Sequence, residues 1–434
     1  MLNVTLKDSL GIRVFLIAFI ILVLLIPVLR IQSLIRERQM RRDQAVMEVS
    51  EKWGYRQVLS GPVLNLPYKT WIEDEEGVRR EEIGYIHFLP EELNVEGSLQ
   101  PTVRYRGIYE VILYASELKI SGQFPALDLA ETGIDEDRVI WRDANLSFGI
   151  RDMKGIRDII QVRWDDTELD SNPGVSSPDV FSSGIQTRIR LDRPDRPHPF
   201  SMNLRLNGSE SLSFIPAGKI TKVELNSGWN NPSFTGSFLP DTREIRQDGF
   251  SASWKILHLN RNFPQVWTGE QPSLSESVFG VNLLMRVDEY QKNMRTSKYA
   301  ALFIGLTFLA LFIIELLSGR AVHPVQYLLV GLGLALFYSL LLSLSEQIRF
   351  PYAYGIASLG MILLISFYSK SVFRQDRLVF WVSGILVVLY AYFYVILQLQ
   401  DLALLIGSLG LFVILAVVMF LTKGVDWFEA FKTR

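Results

Sequence analysis

Val14-Phe15-Leu16-Ile17-Ala18-Phe19-Ile20-Ile21-Leu22-Val23-Leu24-Leu25-Ile26-Pro27-Val28-Leu29 is an uncharged run of 16 residues bracketed by Arg13 and Arg30. A helix needs roughly 20 residues to span a bilayer. Ile31, Leu34 and Ile35 extend the apolar face while Arg30 reaches for the interface. A cleaved signal peptide needs small residues at its cleavage positions, and Pro27-Val28-Leu29-Arg30-Ile31 has none. The run therefore reads as an uncleaved signal anchor over residues 11–35, behind a short cytoplasmic segment, 1–10.

Outward from this anchor the chain is made of two materials. The last 136 of its 434 residues carry only 14 charges, whereas the first 298 carry 76. A mean hydropathy of +0.19 and a net charge of −2 exclude a purely soluble protein and give no footprint for nucleic acid. The charge-poor region divides into spans at 299–318, 325–345, 351–369, 378–399 and 402–422, followed by a tail, 423–434. Alternate connections hold Arg320, then Lys370, Arg374 and Arg377, then Lys423, Lys432 and Arg434, against Arg349 alone on the other side. The positive-inside bias places both termini in the cytoplasm and exports the segment between spans one and two. Arg30, Arg36, Arg38, Arg41 and Arg42 on the exported flank of span one oppose this, but charge counting is weakest beside long translocated domains.

Within the exported segment, 36–298, a helical stalk to Trp53 gives way to a period of two. Ile185 to Leu191, Met202 to Leu206 and Val223 to Leu225 alternate, with Asn207-Gly208 as a turn signal. Similar runs at 83–89, 103–114, 139–150, 159–164, 250–257 and 279–287 predict antiparallel strands. The fold expected is six transmembrane α-helices, one N-terminal and five C-terminal, with a large all-β, sandwich-like domain inserted between the first two. The domain is in one lobe or in two, the break falling at 165–184, where Asn, Pro, Gly and Ser cluster.

The chain carries Gly61-Pro62-Val63, Phe88-Leu89-Pro90-Glu91, Trp229 to Pro240, Gly249-Phe250 followed by Trp254, Asp288-Glu289-Tyr290-Gln291, Lys298-Tyr299-Ala300, His323 to Leu332, and Ser343-Leu344-Ser345-Glu346. In these stretches it resembles the CreD family of cell envelope integrity proteins of the bacterial inner membrane. The resemblance implies an inner-membrane protein tied to envelope stress and β-lactam responses. It implies no reaction.

Chemistry is sparse. Without cysteine there are no disulfides, thiol nucleophiles or Cys-based metal sites. No intramembrane protease signature is present, and His87, His198, His258 and His323 form no metal-ligand spacing. Ser116-Glu117-Leu118-Lys119 matches S-x-x-K without its partner motifs and lies between apparent strands, and Glu73 to Gly77 reads as a hairpin tip rather than a calcium loop. No enzyme and no cofactor are expected.

Three features remain as candidates. Glu315, an acid at membrane depth, is expected to pair with Arg320 or His323 at the inner interface. Gly331, Ala335, Ser339 and Ser343 form a small-residue stripe suited to helix packing, within the chain or in a homo-oligomer. Trp229, Asn231, Pro232, Phe234, Gly236 and Phe238 either close the sandwich core or make a ledge for an envelope protein or glycan. The functional expectation is a bilayer-anchored display of an interaction domain. The rival is a transport or lipid-handling protein with its pathway among helices 2–6, which the scarcity of intramembrane polar groups disfavours.

Overall fold

The computed structural model describes residues 10–73, 79–177, 179–192, 194–269, 274–285, 289–318, 322–399 and 402–423. Arg320, most of the Glu73 to Gly77 tip, and the expected end segments apart from Leu10 and Lys423 lie outside the described residues. Two compact units emerge, one of residues 1–42 with 287–434, the other of residues 43–286.

The first unit is helical: α1 (Leu10–Trp53, which continues past the unit boundary), α2 (Glu289–Lys298), α3 (Ala300–Ser318), α4 (Pro324–Ser345), α5 (Phe350–Phe373), α6 (Asp376–Gln398) and α7 (Ala403–Thr422). Five of these, α1 and α4 to α7, are long and apolar enough to cross a membrane; α2 and α3, bent by 46° at their junction, make a sixth if counted as one span. The chain is thus a membrane protein with an N-terminal apolar helix, an inserted β region and four or five C-terminal apolar helices. Local chemistry marks the turns. His323 caps α4, its Nδ1 accepting from the Val325 amide, Gln326 Oε1 accepts from the His323 amide at 2.9 Å, and Pro324 opens the helix.

The second unit is all β: β1 (Gln57–Glu73), β2 (Arg79–Phe88), β3 (Glu92–Arg106), β4 (Tyr109–Phe124), β5 (Asn145–Ile150), β6 (Gln161–Trp164), β7 (Thr167–Asp170), β8 (Asn172–Pro173), β9 (Gly184–Arg188), β10 (His198–Ser209), β11 (Ser211–Phe214), β12 (Ile220–Ser227), β13 (Pro232–Gly236), β14 (Thr242–Arg246), β15 (Gly249–Leu257), β16 (Val266–Thr268) and β17 (Phe279–Leu283). One sheet runs β13-β17-β11-β1-β5-β9-β8, with β2 and β16 attached at β1; the other runs β14-β15-β12-β3-β4-β10-β6-β7. Pairing is antiparallel except for β1 with β11 and β12 with β3. Alternation buries one face of strands such as β12, where Thr221, Val223 and Leu225 point inward between exposed Lys222, Glu224 and Asn226, whereas the edge strand β14 is exposed throughout.

A single core joins both sheets. Phe148 of β5 meets Phe200 of β10 at 6.5 Å between ring centroids, and Phe234 of β13 meets both Phe250 and Trp254 of β15 at 5.7 Å. Residues 165–184 do not divide the domain into lobes: they supply β7, β8 and the buried Phe181, which packs into that core. Two other expectations are corrected. The run 103–114 is a hairpin rather than one strand, with Gly107 at φ +62° and Ile108 forming a two-residue loop between Arg106 and Tyr109. Alternation reads straight through so short a loop. Asn207-Gly208 is not a turn but lies within β10, opposite Ala115 and Tyr114, and a side chain at 208 would run into the Tyr114 ring. The chain instead changes sheets at Glu210, φ +58°.

Candidate functional site

Glu315 lies on α3, one helix–helix connection before Tyr327 in the first turn of α4. Its carboxylate accepts from the Tyr327 hydroxyl at 2.8 Å and from Arg13 Nη1 of α1 at 3.1 Å. The carboxylate side chain is 7% exposed and the arginine 27%. Of the two expected partners, Arg320 lies outside the described residues and His323 is corrected. His323 spends its side chain capping α4, and the cation comes from the far end of the sequence. The arrangement is a lock: a buried acid holding α1, α3 and α4 together, with each carboxylate oxygen supplied by a separate donor.

A second polar cluster lies toward the other end of α4. Glu346 accepts from Tyr290 Oη at 3.2 Å and stands 3.8 Å from Arg38 Nε, Asn293 donates to Ser345 Oγ at 2.6 Å, and Gln32 donates to the Ser297 carbonyl at 3.3 Å. Nineteen residues of helix separate Tyr327 from Glu346, about 28 Å. The two acids cannot exchange a proton directly, and each belongs to its own clamp.

The small-residue stripe of α4 is only partly a seam. Gly331 and Ala335 are buried, Ser339 is half-buried and Ser343 is exposed. A Cβ at Gly331 would collide with Leu24 of α1 and come within 2.8 Å of Phe308, so this glycine admits α1. The stripe fails further on because four residues turn 400°, about 40° past a full turn, and three such steps rotate about 120° out of the interface. The buried line instead continues through Tyr338, Leu341, Leu342 and Ser345.

In the β unit, the 229–240 stretch turns its aromatics toward the core. Trp229, Phe234 and Phe238 are partly buried against it, and Phe238 meets Phe279 edge-on at 6.1 Å. Trp229 Nε1 donates to the Leu284 carbonyl at 3.1 Å, and Asn231 Nδ2 to the carbonyls of Leu284 and Met285. Pro232 and Gly236 bound the edge strand β13; Gly236, at φ +101°, approaches the Val278 carbonyl too closely for a side chain. Gly236, Ser237 and Leu239 stay exposed, Leu239 at 67%.

Ser116 lies inside β4, not between strands, and spends its buried hydroxyl on the Leu206 carbonyl at 2.7 Å. His87 is fully buried, its Nδ1 2.7 Å from Asn65 Oδ1 and its Nε2 3.7 Å from Asp179. Burial pulls the imidazole down to about 4, against the opposing charge of Asp179. His198 lies 2.9 Å from Asp165. Sequence reasoning missed Arg261, a buried guanidinium that donates to the carbonyls of Phe263 and Ala217 and stacks on the Phe263 ring at 4.0 Å. Its desolvation lowers it to about 10, which leaves it charged. Among the described residues no group of three or more His, Asp or Glu is placed to hold a metal ion.

Some of the stretches that carried the family resemblance touch one another: Phe234 meets Phe250 and Trp254, and Tyr290 meets Glu346. Tyr327 instead donates to Glu315, outside those stretches. The family model for inner membrane protein CreD matches residues 9–428. The inner membrane protein CreD of Escherichia coli (strain K12) is 33% identical over 419 residues, covering 94% of this chain and 91% of that protein. With both matches running nearly end to end through these contacts, the chain belongs to the CreD family of multi-pass inner membrane proteins.

Proposed function

We propose that this protein supports cell envelope integrity by holding its β unit on the periplasmic face, where the unit contacts an envelope protein or glycan without catalysing a reaction. The observation that carries this reading is the outward face of the β unit. A void lined from both sheets has room for a single water, at about 20 Å³. The unit's second sheet bears an outward groove of about 660 Å³ floored by Glu96, Glu117, Lys119 and Arg205, with Ile159 86% exposed at its rim. Carboxylates, amides and cations on a rigid sheet suit a polar partner, and an exposed isoleucine beside them suits a contact that dries on binding.

The loop charges support the periplasmic side, and the opposing arginines after span one are partly neutralised. Arg41 pairs with Glu37 at 2.6 Å and Arg38 approaches Glu346. Asn207 is buried and unsuited to labelling, so sidedness is tested at Ile108 and Lys423, both exposed. In this cysteine-free chain, Ile108→Cys should react with an impermeant thiol reagent in intact spheroplasts and Lys423→Cys should not; the reverse pattern defeats the topology. Photocrosslinking residues at Ile159 and Leu239 should then capture a discrete periplasmic protein or glycan. Adducts to lipid alone from both positions would defeat the interaction reading.

A further inference from the structure

A crevice of about 1410 Å³ opens between α3, α6 and α7. It exists because α7 has no fully buried residue and meets the bundle only in part: Ile414 packs against the core, the Tyr392 hydroxyl donates to the carbonyls of Ile406 and Gly407 at 2.9 and 3.2 Å, and its ring fills the space beside Gly410. From there to Arg377 on α6 and Leu421 on α7 the space is walled by aliphatic and aromatic side chains but not filled. A Cβ at Gly384, on its α6 wall, would meet no atom within 4 Å. Tyr392 and Arg377 are 15 residues apart on α6, so the crevice is about 22 Å long, most of a hydrocarbon core of roughly 30 Å.

Its polarity is one-sided. Ser318, Gln375 and Arg377 sit at one end, while the Tyr392 hydroxyl at the other is already committed to backbone carbonyls. Arg377 is exposed and its side chain makes no hydrogen bond or ion pair among the described residues; the adjacent Asp376 is taken by Lys370 at 3.3 Å. An apolar trough with a free guanidinium at its mouth matches an amphiphile with long chains and an anionic head. A helix from a second copy would fill the trough and leave the cation without a counter-charge.

We infer that the crevice binds an anionic phospholipid, its acyl chains against α3, α6 and α7 and its phosphate on Arg377, where basic pockets between membrane helices hold lipid headgroups. This site does not depend on what the β unit contacts.

The test uses the full-length protein in detergent, titrated with phosphatidylglycerol or phosphatidylcholine of matched chains and read by native mass spectrometry. Wild type should take up phosphatidylglycerol with about a fivefold preference, the worth of one basic residue near an anionic head. Arg377→Gln should bind both lipids without preference. Gly384→Trp, and independently Val388→Trp on the same wall, should cut occupancy of both lipids at least tenfold while leaving the melting temperature within a few degrees. Lipid uptake equal to wild type in whichever tryptophan variant folds overturns the proposal, as does an undiminished preference in Arg377→Gln. So does a dimer that either tryptophan variant dissolves, which would assign the crevice to a second copy.

Discussion

Replacing Glu315 by glutamine keeps the shape of the side chain and removes its charge, which tests the three-helix lock directly. In the wild type, two donors converge on a carboxylate that is 7% exposed. Hydrogen bonds to charged groups contribute about 1.5–3 kcal/mol each, and stripping one partner from a fully buried pair costs about 3–5 kcal/mol. Two features reduce that figure here. The amide oxygen still accepts from Tyr327 or Arg13, and Arg13, three residues from Leu10 and 27% exposed, can turn its guanidinium toward the interface. The expected loss for Glu315→Gln is therefore about 1–3 kcal/mol, above the 0–1 kcal/mol of a wet surface pair. Arg13→Gln should cost a similar amount, and the double variant less than the sum, with a coupling of about 1–2 kcal/mol. Unfolding of the purified full-length protein in mixed micelles measures all four corners of the cycle. Abundance-matched complementation of an envelope-stress phenotype separates the lock from proton transfer, because a clamp tolerates glutamine while a relay does not. A coupling energy indistinguishable from zero would refute the lock. Lost complementation with unchanged stability would show that the acid titrates in function.

Three further outcomes follow from the packing. His87 is held at about 4 in the folded chain and returns to about 6.5 when unfolded, so the unfolded state takes up a proton first as pH falls. The stability present above pH 6.5 should therefore decline by roughly 3 kcal/mol toward pH 4, and His87→Gln should flatten that region of the profile in hydrogen exchange of the β1 and β2 amides. Gly331→Leu should destabilise the bundle by about 1–3 kcal/mol or more through its clash with Leu24 and Phe308, while Ser343→Leu and Leu336→Ile, both on exposed positions, should leave detergent melting nearly unchanged. Tyr114→Phe should cost about 1–2 kcal/mol in thermal unfolding, since the Tyr114 hydroxyl donates at 2.7 Å to the Ser211 carbonyl and the variant leaves that buried acceptor unpaired.

The membrane segments were legible from sequence because a bilayer imposes one requirement, an uninterrupted apolar run, and residues 14–29 meet it without reference to any neighbour. Strands were legible where alternation persists, as in 202–206 and 223–225. They were misread where a loop preserves the alternation, at Gly107-Ile108, and where a glycine makes room for a ring rather than a turn, at Gly208. The family was readable from stretches some of which touch one another, as Phe234 touches Phe250 and Trp254.

The partners of Glu315 were a different matter. Sequence proximity favoured Arg320, which lies outside the described residues, and His323, which caps α4; a low-dielectric interior rewards whichever donor the helix packing delivers, and Gly331 brings α1 close enough for Arg13, 302 positions away, to be one such donor. Residue type and spacing determined that this chain enters the membrane and alternates its polarity. Only tertiary packing decided which charges meet, where the four-residue stripe rotates out of contact, and that α7 leaves a crevice against α3 and α6, because each depends on the angle and distance between elements.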